Sequence, residues 1–139
     1  MKVVVDTNIF VSSFFRGNPR KIIDLWKHGR IILCVSKEIM DEYFEVLKRS
    51  GLEDQAELEE LLSLFARGFN SLYTTKTPDL SIVPDDPCDN KFFECAVALK
   101  AEYIISGDKQ ILKIGEYMGI RVSNSKNMTP KIIHSFSLE

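Results

Sequence analysis

Three acids stand where the chain changes direction, Asp6 after the run Val3 to Val5, Asp89 ahead of an apolar run and Asp108 just after Ser106-Gly107, and a fourth, Glu42, lies in the stretch that Ser36 opens. Carboxylates are hard oxygen donors. Buried together they repel, and an uncompensated charge would sooner protonate than stay ionised. A divalent cation removes that penalty, so the chemistry such a set supports is metal binding. Oxygen ligation without Cys or His suits Mg2+ or Mn2+ better than zinc. One or two such ions, about 3.5–4 Å apart if paired, would clamp the attacking and leaving oxygens of a phosphodiester.

The elements that must bring these acids together follow from periodicity. Short β-rich runs alternate with longer helical patterns, which predicts an α/β fold with a mainly parallel central sheet of four to five strands. Strands are expected at Val3 to Val5, Ile31 to Val35, Leu72 to Thr75, Tyr103 to Ile105 and Ile120 to Ser123. An apolar helical turn from Ile9 to Phe15 runs into Gly17, and Asn18-Pro19 opens a helix through Trp26 that stops near Gly29. Ser36 caps a helix to about Ser50, closed by Gly51. Glu53 to Phe69 reads as a helix with Leu58, Leu61, Leu62, Phe65 and Phe69 on one face. Thr77 to Cys88 is an irregular loop, and Asp89 opens a helix with Phe92, Cys95, Ala96 and Leu99 in an apolar stripe. Lys109 to Met118 is a shorter helix ended by Gly119, and Thr129-Pro130 starts the last one.

In an open parallel sheet, ligands collect at the carboxyl ends of the strands. Asp6 and Asp108 follow strands directly. Asp89 begins a helix that runs antiparallel to the strands, so its start lies on the same edge. Glu42 is placed through its helix: of Glu38, Asp41, Glu42 and Glu45, it lies nearest the stripe Ile39, Met40, Tyr43, Val46 and Leu47 at about 100° per residue. The helix must tilt to bring Glu42 to the other acids. Each acid also has a plainer explanation. Asp6 serves as a turn residue, Asp89 and Asp108 as caps, and Glu42 as a solvated helix acid. Ser36 is better explained as a cap than as a catalytic group, His28 and His134 as surface residues, and Trp26 as core.

Composition limits the rest. The 139 residues, 45% hydrophobic, fit a single domain over 1–139 with a core of its own. A net charge of -2 is unusual for a nucleic-acid binder, but setting aside the four proposed ligands leaves 18 basic side chains against 16 acidic ones. Cys34, Cys88 and Cys95 form no metal spacing and are odd in number, as reduced thiols of a cytoplasmic protein would be. The apolar runs fall far short of the ~20 residues that cross a bilayer, so no membrane partner is expected.

Val5-Asp6-Thr7-Asn8, Ser36-Lys37-Glu38-Ile39-Met40-Asp41-Glu42, Asp86-Pro87-Cys88-Asp89-Asn90 and Ser106-Gly107-Asp108-Lys109 together resemble, in order and over nearly the whole chain, the motifs of the PIN-domain family. The likeness is to its small prokaryotic members that serve as toxins of toxin–antitoxin pairs. It implies a three-layer α/β/α fold in which Asp6, Glu42, Asp89 and Asp108 are metal-binding and catalytic. Asn8 would support the site by hydrogen bonding, with Thr7 and Ser106 beside it. Asp86 is the alternative to Asp89 as the third acid. Relatives often carry another Asp at the place of Gln110, and its replacement here implies weaker ion binding or more water on the ion. Lys109 is the candidate phosphate contact. The resemblance further implies an RNA substrate, a homodimer and an antitoxin partner.

The function expected is thus a Mg2+- or Mn2+-dependent endoribonuclease. A PIN-like scaffold that binds RNA or protein without cutting is the alternative. A phosphoryl-transfer enzyme or receiver domain would also place Asp at strand ends. Asp6-Thr7-Asn8 has no second Asp two residues on, and no paired acids mark a receiver, so the sequence speaks against that class.

Overall fold

A computed structural model describes residues 1–14, 18–49 and 55–137. Phe15, Gly17, Ser50, Gly51 and Glu53, which figure in the expectations above, lie outside the described residues. The strands are β1 (Lys2–Val5), β2 (Ile32–Ser36), β3 (Ser71–Thr74), β4 (Tyr103–Ile105), β5 (Glu116–Tyr117) and β6 (Ile120–Ser123). The helices are α1 (Thr7–Ser12), α2 (Asn18–Lys27), α3 (Lys37–Arg49), α4 (Gln55–Ala66), α5 (Asn90–Leu99), α6 (Lys109–Ile114) and α7 (Ser125–Ser137).

Among the described residues the strands form one sheet in the order β3-β2-β1-β4-β6-β5, parallel except for the β5–β6 pair. Val3, Val4 and Val5 are buried completely, as a central parallel strand covered on both faces requires. The chain steps outward from β1 to β2 to β3, then returns across β1 to β4. Right-handed crossovers therefore put α1 to α4 on one face and α5 and α6 on the other, giving three layers. The α5 helix packs across β1, β2, β3 and β4, while α1 meets α2 and α3. The reversal of direction between β1 and β4 is a topological switch point, where flanking loops diverge and leave a crevice at the carboxyl ends of the strands.

The core fills with large side chains. Phe10 stacks on Tyr43 with ring centres 3.9 Å apart, tying α1 to α3. Trp26 is fully buried, packs against Phe65 and Phe69, and donates from Nε1 to the Asn70 carbonyl at 3.1 Å. On α4, Leu61 and Leu64 are buried, whereas Leu62, expected on the apolar face, is 48% exposed. Leu64 takes the inward place that the stripe had given to Leu62. No described helix is long and apolar enough to cross a membrane.

Two boundaries differ from the sequence expectation for identifiable reasons. The helix expected to run from Lys109 to Met118 ends at Ile114, because Gly115 turns the chain at φ 75° and Met118 and Gly119, both at positive φ, make a two-residue hairpin joining β5 to β6. This hairpin supplies a sixth strand where four to five were expected. The last helix starts at Ser125 instead of Thr129-Pro130, since the Asn124 side chain accepts from the Asn127 N–H at 2.7 Å and caps it. Pro130 consequently falls inside α7.

Candidate metal centre

Asp6 leaves β1 and caps α1: its Oδ1 accepts the Ile9 N–H at 2.8 Å, while its other oxygen accepts the Ser106 hydroxyl. The same serine oxygen accepts the Asp108 N–H at 3.0 Å, so one buried hydroxyl links the turn after β4 to the turn after β1. Asp108 caps α6 by accepting the Gln110 N–H at 2.7 Å. Short polar side chains at strand ends prefer such caps, which is why local sequence suffices to place this pair.

Asp89 and Glu42 are placed by tertiary packing. Asp89 ends a short 3₁₀ turn, Pro87–Asp89, and precedes α5 without making the capping hydrogen bond expected of it. The loop before it is fastened to α5 by Asn90, whose Oδ1 accepts the N–H groups of both Ile82 and Val83, and by Glu94, which accepts the N–H of Leu80. Glu42 comes in on α3. The neighbouring Tyr43 hydroxyl donates to the Val5 carbonyl, pinning α3 to the end of β1 and supplying the approach that the helix rise alone made awkward.

The four acids line one cleft with Thr7, Asn8, Phe92 and Ile111, offering about 30 Å³ of free volume. That is room for one or two water-sized species. Asp6 is 3% exposed. Burial pushes its carboxyl above the usual aspartate range, against hydrogen bonds from Ser106, Ile9 and Gly107 that pull it down, and Asp108 adds to the rise. The Asp89 carboxyl is pushed up to about 6, first by burial and then by Asp86 and Asp108, with Lys91 opposing. Its Oδ2 and the Thr7 hydroxyl are buried without a hydrogen-bond partner. A hard cation would suit this donor set: it would supply a partner for the orphaned oxygens and the positive charge that raised carboxyls lack. Among the described residues, however, no three of these side chains are already grouped around a single point.

The other candidates fall as follows. Asn8 is exposed at the rim of the cleft, and the hydroxyl that holds Asp6 belongs to Ser106. Lys109 and Gln110 are exposed at the start of α6 and do not line the cleft. Asp86 stands outside it also, acting on Asp89 through its charge. Lys91, which sequence reasoning passed over, forms an ion pair with Glu42 and donates to the Cys88 carbonyl at 2.7 Å. A lysine in the first turn of a helix opposes the helix dipole, and that was the available signal that it needed a partner.

A family model described as PIN domain matches residues 2–110. An uncharacterized protein of Methanocaldococcus jannaschii is 33% identical over 141 residues, spanning 94% of this chain and 88% of its own. No solved structure matches the chain.

Proposed function

The chain belongs to the PIN-domain family, and on that footing we propose that it is an endoribonuclease that hydrolyses RNA phosphodiester bonds with Mg2+ or Mn2+. Membership itself points to a nuclease-type activity. The finer assignment rests on one observation: Asp6 and Asp89, both with raised carboxyls, line a small polar cleft at the switch point with Asp108 and Glu42. In this proposal the four acids hold one or two ions. When bound, such ions supply a water of lowered pKa and positive charge for the departing oxygen.

The chain's own residues do the positioning. Ser106 keeps the Asp6 carboxyl and the Asp108 turn in register. Asp6 is held further by the N-terminal turn of α1, so its oxygens are oriented before any ligand arrives. Phe92 and Ile111 form the apolar part of the wall and limit water around the charged groups. Lys109, exposed at the start of α6, is the proposed phosphate contact. We assign the whole of residues 1–139 to one domain acting in the cytoplasm as a homodimer, the toxin of a pair whose antitoxin covers the cleft.

Cleavage of single-stranded RNA with and without manganese tests the proposal. Activity is expected to need the ion and to fall at least about a hundredfold in Asp6→Asn, the scale on which removal of a charge-stabilising group lowers turnover. Equal cleavage by the variant and the wild type would refute it. A second function, binding RNA or protein without cutting, draws on the Lys91–Glu42 pair, which neutralises one acid with no ion. Titrating manganese into the protein separates the two, since a scaffold gives no saturable heat.

A further inference from the structure

Lys91 makes three contacts that hold its ammonium against two residues of the cleft wall, Glu42 and Phe92. It pairs with Glu42, donates to the Cys88 carbonyl at 2.7 Å, and lies 5.4 Å from the centre of the Phe92 ring. Its side chain is 15% exposed, against 32% for Glu42. Such a lysine has given up much of its hydration and rotamer freedom, so the contacts that hold it compensate a real cost. The Cys88 carbonyl and the ring belong to the 3₁₀ turn and to α5, the elements that carry Asp89. The ammonium is therefore anchored from the Asp89 side and reaches across to α3, where it engages the carboxylate that an incoming cation would use.

We propose that Lys91 is a resident counter-ion for Glu42, which a divalent cation must displace from that carboxylate before the site is complete, so that this lysine sets the ion affinity of the cleft. The inference rests on taking the cleft as a divalent-metal site and deepens it by naming what controls its loading. Two effects act in the same direction. The ion pair must be given up, and the ammonium repels an arriving dication at short range. Giving up a partly exposed pair costs up to about fivefold in affinity, and the repulsion brings the combined effect to about fivefold to tenfold. Because the stem of Lys91 also packs on Phe92, the variant that removes charge while keeping that packing is Lys91→Met.

The test is manganese titration by calorimetry of the full chain, without RNA. Lys91→Met is expected to bind manganese about fivefold to tenfold tighter than wild type, and Lys91→Arg, which keeps the charge, to stay near wild type. In a Glu42→Gln background the same lysine substitution is expected to tighten binding by clearly less, about twofold, because only the repulsion between ammonium and dication is then left to remove. Unchanged or weaker binding in Lys91→Met would overturn the proposal, and so would a gain that is just as large without the Glu42 charge. Thermal melts of the variants accompany the titration; should Lys91→Met unfold, tighter binding by Lys91→Gln supports the role and unchanged binding overturns it. Saturable manganese uptake that is the same in all lysine variants removes this role alone. Failure of every variant and the wild type to take up manganese removes the metal-site assignment with it.

Discussion

The Asp89 carboxyl, held at about 6 mainly by burial, ties protein stability to pH. An unfolded aspartate titrates near ~3.9, so the folded chain binds this proton more tightly than the unfolded one. The stabilisation is fully present below about pH 4 and is lost as pH rises through about 6. In chelator, Asp89→Asn is expected to melt with the wild type at pH 4 and above it at pH 7. The difference at pH 7 is on the order of 1 kcal/mol after discounting for solvent screening. Melting curves at the two pH values check this, and a variant no more stable than wild type at pH 7 would contradict the burial account. Ser106 carries a separate prediction. Its hydroxyl is shared between Asp6 and the Asp108 backbone, so Ser106→Ala should weaken manganese binding about tenfold to a hundredfold, the usual cost of losing a group that orients a ligand. Calorimetry reads that directly, and unchanged affinity would show the link to be dispensable.

Elements carried their information unevenly. The β1 and β4 ends were legible because a valine run followed by Asp6, and Ser106-Gly107-Asp108 after Tyr103 to Ile105, are local patterns whose caps form from neighbouring residues. Glu42 was legible only as an acid at the edge of an apolar stripe. What brings it to the cleft is the hydroxyl of Tyr43 on Val5, a contact between distant parts of the chain. Lys91 was not legible as a partner of Glu42 for the same reason, and neither was the double acceptor role of Asn90. Reading Lys109 to Met118 as one helix ended by Gly119 hid the β5–β6 hairpin. That hairpin supports a prediction of its own. Met118 is 75% exposed and sits at φ 50° ahead of Gly119, a position where Asn is favoured over Met. Met118→Asn should stabilise the chain by about 0.5–1 kcal/mol, read as a rise in melting temperature, and a fall would argue against the turn described.

Taken whole, the molecule places its acids within the stretch that matches the family model, yet it depends on residues beyond that stretch. The β6 strand pairs with β4, and α7 packs on α2 with Met128 and Ile132 fully buried. A chain cut after Gln110 keeps Asp6, Glu42, Asp89 and Asp108 but leaves β4 as an edge and uncovers part of the core. It is expected to lose cooperative unfolding, which circular dichroism melts would reveal; a sharp transition like that of the full chain would refute the dependence.

Trp26 is the one tryptophan in the chain, and it lies dry on the buried face of α2 against the aromatic side chains of Phe65 and Phe69, away from the cleft wall. Its indole is therefore an intrinsic fluorophore whose emission reports the integrity of the folded interior. Carboxylate substitutions that disable the cleft without loosening the interior leave that spectrum in place, while global unfolding shifts it to the red. A single optical signal thus distinguishes a disarmed protein from a denatured one, with no dye attached.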